Sequence, residues 1–210
     1  MDRDEIWKAI EAGRLAAADL LEGLSPKEWE RPSLCAGWRV REVAAHLTLA
    51  PQTGLGRAVV ELVRARGSFD RMIDGTARRK AVLPTGRIVE EIRMIAGSHR
   101  LAPGTTQLDP LLDVLVHTQD IAVPLGRHVP VPPAAGRAAA DRVWSRGWPF
   151  HARRRLAGRR LVATDAEWEV GDGPRVELPM NEMLLLLTGR RTAPSMIMKD
   201  SGRYDTPNPS

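Results

Sequence analysis

Apolar residues recur every three or four positions along most of the chain, a spacing that places them on one face of an α-helix. The first such stretch covers about residues 4–24 and predicts a long amphipathic helix. It is followed by Ser25-Pro26-Lys27-Glu28, which matches a capping box with proline at the first helical position. A second helix is predicted over about residues 39–50, where Pro51 ends the pattern.

The helical pattern continues through the middle of the chain, with breaks at Gly67, Pro84 and Gly86. It predicts further helices over about residues 54–66, 69–83, 88–98, 109–123 and 134–146. Each of these helices has an apolar face that must be buried against another element. Residues 1–150 are therefore expected to form one helical bundle.

The pattern changes after Arg160, where short runs typical of β-strands replace the helical spacing. Runs at about residues 161–164, 168–170 and 176–178 surround the turn Gly171-Asp172-Gly173, and an apolar helix is expected over residues 181–187. We interpret residues 151–190 as a small α/β appendage. The chain is polar and rich in proline and glycine from Arg190 onward, so residues 191–210 are expected to form a disordered tail.

Composition restricts the compartment and the class of protein. Hydrophobic residues make up 43% of the chain, and no stretch reaches the roughly 18 uninterrupted apolar residues that a membrane helix needs. The charged N-terminus runs directly into the first helix and carries no signal-peptide pattern. Cys35 is the single cysteine, which excludes an internal disulfide and suits a reducing compartment. A cytoplasmic location is predicted.

The net charge of +5 raises the question of an anionic partner such as nucleic acid. The dense basic stretch is a single run from His151 to Arg160, and it lacks the interleaved aromatic residues that stack on bases. A solvated surface is the favoured interpretation of this run. A nucleic-acid-associated protein stays as a weaker alternative, which a steep loss of binding with salt would support.

The candidate metal-binding side chains lie mainly on the helix predicted at residues 109–123. Asp113, His117 and Asp120 are spaced i, i+4 and i+7, which places them on one stripe among apolar neighbours. Buried carboxylates and imidazoles are costly unless each is paired or coordinated. An Asp and a His four residues apart on a helix can also bind one cation.

A third ligand would come from the second helix, where His46 lies at the edge of the apolar face. Two facing helices would then supply two imidazoles and one carboxylate, with a position left for water or substrate, as in catalytic zinc sites. The alternative is that His117 pairs with Asp113 or Asp120 in a buried network without a metal. The spacing by itself leaves both interpretations open.

The loop before the second helix contains Cys35 and Trp38. A thiolate at the start of a helix would be stabilised by the helix dipole, but free cysteines usually pack as small apolar residues. We expect a structural role for Cys35. Trp38 is expected to pack the loop onto the bundle.

Two motifs resemble one known family. The run Pro32-Ser-Leu-Cys-Ala-Gly-Trp-Arg-Val-Arg-Glu-Val-Ala-Ala-His46-Leu resembles the opening signature of the mycothiol-dependent maleylpyruvate isomerase family, within the DinB-like superfamily of metal-binding four-helix bundles. The run Asp113-Val-Leu-Val-His117-Thr-Gln-Asp120-Ile-Ala-Val-Pro-Leu-Gly-Arg127 resembles the acidic-xxx-His-xx-Asp helix of that family. Residues 158–190 are similar to its C-terminal segment.

The resemblance implies a mainly α fold, a DinB-like four-helix bundle with a small C-terminal α/β appendage. It implies a divalent metal, zinc first and nickel as the alternative, bound by His46, Asp113 and His117. Asp120 matches the trailing acidic residue, for which we expect a role in orienting a ligand or water. The acidic ligand is often Glu in the family, whereas this chain has the shorter Asp113.

The leading hypothesis from the sequence is a metal-dependent isomerase or transferase that activates a small thiol, with mycothiol as cosubstrate, toward a small electrophile. The alternative is a non-catalytic helical bundle that binds a metal or another ligand. A homodimer is compatible with either hypothesis, and the sequence does not identify the substrate.

Overall fold

A computed structural model describes residues 1–49, 60–61, 63–102 and 104–191. Within these ranges the chain is mainly helical and ends in a small three-stranded sheet and one more helix. The helices are α1 (Arg3–Glu22), α2 (Pro26–Trp29), α3 (Val40–Leu47), α4 (Phe69–Lys80), α5 (Thr85–Met94), α6 (Leu108–Ala122), α7 (Pro133–Ser145), α8 (Ala152–Arg155) and α9 (Met180–Leu187). The strands are β1 (Arg160–Ala163), β2 (Glu169–Val170) and β3 (Arg175–Leu178).

Four helices form a closed ring. Helix α1 packs against α5 and α6, and α3 packs against the same two helices from the other side. Their apolar faces meet in one core, as expected for a four-helix bundle. The predicted fold class is therefore confirmed.

Hydrogen bonds within the chain explain where several helices begin. Asp2 and Glu5 form a reciprocal capping box at the start of α1, with the Glu5 N–H donating to Asp2 Oδ1 at 2.8 Å. The predicted capping box of Ser25 and Glu28 opens α2. Such boxes satisfy backbone N–H groups that a first helical turn leaves without partners.

Helix α6 is the most deeply buried helix of the bundle, with apolar side chains around most of its circumference. It lies very close to α1 because Gly13 has no side chain. A Cβ atom at Gly13 would lie 3.0 Å from Cγ1 of Val114, so the helices could not approach as closely with a larger residue. This packing brings the neighbouring Asp113 of α6 into the bundle interior.

The C-terminal elements pack on the bundle through α7. Strand β1 lies between β2 and β3, antiparallel to the first and parallel to the second. Helix α9 contacts both α7 and α6. Gly136 of α7 makes room for it, because a Cβ atom there would lie 2.3 Å from Cγ of Met180.

The sequence predicted most helices to within a few residues of their observed ends. Two short elements were not predicted: α8, and a 3₁₀ turn over Val123–Leu125. Most of the helix predicted at residues 54–66 lies outside the described residues. Pro51, Pro103 and the predicted tail apart from Arg191 also lie outside the described residues. The division of the chain at residues 150 and 190 stays a prediction.

No helix in the described ranges has the length and apolar character needed to cross a membrane.

One buried cation joins α1 to the end of α5. Arg14 is 4% exposed, and its Nη1 donates to the carbonyl oxygens of Ile95, Ala96 and Ser98 at 2.8, 3.1 and 2.9 Å. These carbonyls lie beyond the last turn of α5, where helix carbonyls lack partners within the helix. Burial lowers the pKa of Arg14, while the charge of Asp113 acts in the opposite direction.

We predict that Arg14→Leu lowers the free energy of unfolding by about 3 kcal/mol, because it leaves the carbonyl oxygens of Ala96 and Ser98 without their donor. The matched control is Arg93→Leu. Arg93 also joins α5 to α1, through Asp19 and Glu22, but this ion pair is exposed to solvent and its loss should be much smaller. Urea unfolding followed by circular dichroism measures both changes, and equal losses would contradict the prediction.

Candidate metal centre

The middle of α6 carries the polar stripe that its spacing predicts. Asp113, His117 and Asp120 lie on successive turns of the same face, among buried apolar side chains of the helix. Asp120 has no exposed surface, whereas 12% of the His117 side chain and 27% of the Asp113 side chain are exposed. The stripe therefore runs from a closed end at Asp120 to a more open end at Asp113.

Helix α3 supplies a second imidazole at the open end. His46 Nε2 lies 3.2 Å from Oδ1 of Asp113, and His117 Nε2 lies 3.4 Å from the same oxygen. The two imidazole rings meet edge to face, with centroids 4.9 Å apart. The structure thus brings together His46, Asp113 and His117, the three residues predicted as metal ligands.

The other ring nitrogen of His117 points toward the closed end. His117 Nδ1 lies 2.8 Å from Oδ2 of Asp120, and Asp120 also accepts from a guanidinium group. Arg190 Nε lies 3.1 Å from Oδ1 of Asp120, and Arg190 Nη2 lies 3.1 Å from Oδ2. His117 is therefore held at both nitrogens, each time by a carboxylate.

Within the part of the chain that the structure describes, two groups of side chains could hold a metal ion, and they share His117. One group is His46, Asp113 and His117, and the other is Cys35, His117 and Asp120. The second group already contains a cation, because Arg190 binds Asp120 and its Nη2 lies 3.6 Å from Sγ of Cys35. In the first group, the hydrogen bonds of Asp113 among the described residues come from the two imidazoles alone.

Charge interactions shift three pKa values of this cluster. Burial opposes ionisation of Asp113, but the charges of His46 and His117 hold the pKa of its carboxyl well below the usual range. Burial also opposes the charging of His117, yet Asp113 raises its pKa well above the ordinary value. Burial likewise acts against Asp120, but the hydrogen bond and charge of His117, with Arg190, lower its pKa to about 2.

The donor geometry fits a small divalent cation. Ligand atoms about 2.0–2.1 Å from a tetrahedral zinc ion lie roughly 3.3 Å from one another. The observed separations of 3.2 and 3.4 Å from Asp113 Oδ1 to the two imidazole nitrogens are of this size. His46 Nδ1 is buried and without a hydrogen-bond partner among the described residues, so His46 is held through Nε2 alone.

Residues around the centre include two whose positions the sequence did not predict. Arg190, assigned to the start of a polar tail, instead lies three residues after the end of α9 with its guanidinium on Asp120. Cys35, expected to be structural, contacts Asp120 and His117. Trp38 packs beside His46 with ring centroids 5.4 Å apart, and its Nε1 donates to Asp74. The Trp38 ring, predicted to pack the loop onto the bundle, therefore also lines one side of the centre.

The other histidines and the basic run lie elsewhere. His99 stacks on Trp7, with ring centroids 4.4 Å apart. Within the basic run, Arg153 lies over the ring of Trp144, Arg155 donates to main-chain carbonyls including Leu187, and Arg160 pairs with Glu169. Arg155 and Arg160 thus contact the appendage, and Arg153 contacts α7.

The family model of the mycothiol maleylpyruvate isomerase N-terminal domain matches residues 10–94. The match covers less than half of the chain, so these residues are similar to that domain. The matched part contains His46 and the loop before α3, whereas Asp113 and His117 follow in the next helix of the ring.

Among solved structures, the chain is similar to the crystal structure of the mycothiol-dependent maleylpyruvate isomerase, with a TM-score of 0.62 and 13% sequence identity. A second similar structure is a histidine-to-alanine mutant of the mycothiol-dependent maleylpyruvate isomerase, with a TM-score of 0.60 and 12% identity. Each alignment covers 91% of this chain and 90% of the other chain. At these identities the likeness establishes the fold. No curated protein matches the chain.

We predict that Arg190→Met lowers the free energy of unfolding by about 3 kcal/mol, because it leaves the buried Asp120 carboxylate without its cation. Arg191→Met is the matched control. The adjacent Arg191 pairs with Glu182 at the surface and should contribute under about 1 kcal/mol.

Combining Arg190→Met with Asp120→Asn should cost less than the sum of the two single substitutions, since the double variant removes both charges. Urea unfolding of the four proteins measures this coupling, and additive losses would show that the two side chains do not depend on each other.

Proposed function

We propose that this protein is a metal-dependent enzyme that activates a low-molecular-weight thiol for isomerisation of, or transfer to, a small electrophile. The match of residues 10–94 to the mycothiol maleylpyruvate isomerase N-terminal domain makes mycothiol the first thiol to test. The observation that carries the proposal is the convergence of His46, Asp113 and His117, from two facing helices, at separations suited to one cation.

In this proposal the metal is held by His46 Nε2, Asp113 Oδ1 and His117 Nε2, with zinc as the first choice and nickel as the second. Asp113 is one methylene shorter than the Glu that is common in the family. Its Oδ1 nevertheless lies within 3.4 Å of both imidazole nitrogens, which supports direct ligation over ligation through water. When bound, a divalent cation lowers the pKa of a coordinated thiol and makes it a nucleophile near neutral pH.

The remaining side chains set up this centre. Asp120 accepts a hydrogen bond from His117 Nδ1, which leaves the lone pair of Nε2 directed at the open end. Arg190 neutralises Asp120, so Asp113 supplies the one negative charge of the three ligands when both imidazoles are neutral. A divalent cation there retains one positive charge for an anionic co-ligand, which suits a thiolate.

A small electrophile is proposed as the second substrate, by likeness to the maleylpyruvate isomerase whose structure the chain resembles. A cytoplasmic location and a homodimer are part of the same proposal. The former suits the family's thiol chemistry and the single free cysteine.

We predict near-stoichiometric zinc or nickel in the wild-type protein after purification without an affinity tag, and its loss in His46→Ala, Asp113→Ala and His117→Ala. Removal of one of three protein ligands should abolish retention of the ion. His128→Ala, a change at an exposed histidine away from the centre, is the matched control and should retain the metal. Elemental analysis of all five proteins makes the measurement.

A wild-type protein that stays metal-free after zinc is added would remove the enzyme proposal. The cluster of His117 with its two aspartates would then be a buried structural network.

We also predict that the zinc-loaded protein accelerates reaction of mycothiol with small electrophiles, with maleylpyruvate isomerisation as the first assay. Activity should disappear with a chelator and return with zinc, because the cation is needed to activate the thiol. Consumption of the electrophile, followed by absorbance, is compared between wild type and Asp113→Ala. A metal-loaded protein without activity toward any thiol and electrophile pair would instead favour the non-catalytic, ligand-binding alternative.

A further inference from the structure

The loop that precedes α3 is tied to the closed end of the metal centre. The Leu34 N–H donates to the main-chain carbonyl oxygen of Asp120 at 3.1 Å. Within the loop, Ser33 Oγ donates to the Trp38 carbonyl oxygen at 2.9 Å and accepts from the Cys35 N–H at 3.1 Å. Cys35 is therefore positioned by the main-chain hydrogen bond of Leu34 to α6 and by the Ser33 hydroxyl within the loop.

The thiol of Cys35 contacts the carboxylate that orients His117. Cys35 Sγ lies 3.0 Å from Oδ2 of Asp120 and 3.6 Å from Nδ1 of His117. An ionised carboxylate accepts hydrogen bonds and cannot donate, so the S–H group is the donor in the shorter contact. The usual packing role of a free cysteine does not require this contact.

Three side chains donate to Oδ2 of Asp120: His117 through Nδ1 at 2.8 Å, Cys35 through Sγ at 3.0 Å, and Arg190 through Nη2 at 3.1 Å and Nε at 3.2 Å. They come from α6, from the loop before α3 and from the residues after α9. Because Asp120 is fully buried, water cannot replace a missing donor without rearrangement. Each donor therefore restricts the orientation of the carboxylate, and through it that of the His117 ring.

We propose that Cys35 is a positioning residue for the metal centre, whose S–H group holds Asp120 in the orientation that directs His117 Nε2 toward the metal. The inference rests on the proposed function, because it assigns Cys35 an effect on metal affinity. It excludes direct ligation, since the thiol faces Nδ1 of His117 while the three proposed ligand atoms lie at the Nε2 side.

The test compares Cys35→Ser with Cys35→Ala, and Cys35→Thr with Cys35→Val. The two members of each pair are similar in size, but only the first has a hydrogen-bond donor. The Thr and Val variants have nearly the same shape, so their difference reports the donor rather than packing. Urea unfolding of each metal-free variant establishes that the variant folds. If a member of one pair does not fold, the other pair is sufficient for the test.

The first readout is the dissociation constant for zinc, from competition with a chromogenic chelator. We expect about 10-fold weaker binding in the variants without a donor, the low end of the range for losing a group that orients a metal ligand. The variants that keep a donor should bind like the wild type. Equal affinities in all variants, or equal losses within a pair, would overturn the proposal.

The second readout is the absorption spectrum of the cobalt-substituted protein. The wild type should lack a thiolate-to-cobalt charge-transfer band. A band that disappears in Cys35→Ser would make Cys35 a ligand and would overturn its assignment as a positioning residue.

The third readout needs no metal and separates this inference from the proposed function. Exchange of the His117 Nδ1 proton with water, measured by NMR on protein with ¹⁵N-labelled histidine, should be several-fold faster in Cys35→Ala than in Cys35→Ser. If the wild type binds no metal but this difference is present, the metal proposal fails while the orienting contact stands. If metal binds and exchange is the same in both variants, the Cys35 inference alone fails.

Discussion

The buried carboxylate of Asp120 is the interaction on which the centre depends. It has no contact with solvent, and it pairs with Arg190 on one side and His117 on the other. An unpaired carboxylate at this position would be costly, so the segments that supply its partners must come together for the chain to fold. The same pairing directs His117 toward His46 and Asp113. Folding and the geometry of the proposed metal site therefore rest on one set of hydrogen bonds.

The fold and part of the centre follow from local features of the sequence. Capping boxes, proline breaks and helical spacing predicted most helices, and the i, i+4, i+7 spacing placed Asp113, His117 and Asp120 on one stripe. These features act over a few residues, which is why sequence reasoning captures them. The position of His46 opposite the stripe was predicted with help from the family resemblance, since helical spacing does not show which helix lies across the core.

Contacts between distant segments could not be read from periodicity. Arg190 is 70 residues from Asp120 in sequence, and Cys35 is 85 residues from it. A polar residue after an apolar helix resembles the start of a tail, because nothing local indicates a buried partner. Likewise a lone cysteine in a loop is usually a small apolar residue. A useful signal was the extent of the family resemblance, which reached Arg190.

The pairing of Arg190 with Asp120 also limits how the chain can be divided. The ring of α1, α3, α5 and α6 ends at Ala122. A fragment that ended at residue 150 would retain the carboxylate of Asp120 and lose the guanidinium that neutralises it. The bundle is thus electrostatically incomplete by itself. The small sheet and α9 position Arg190, whose guanidinium is the countercharge that the bundle lacks.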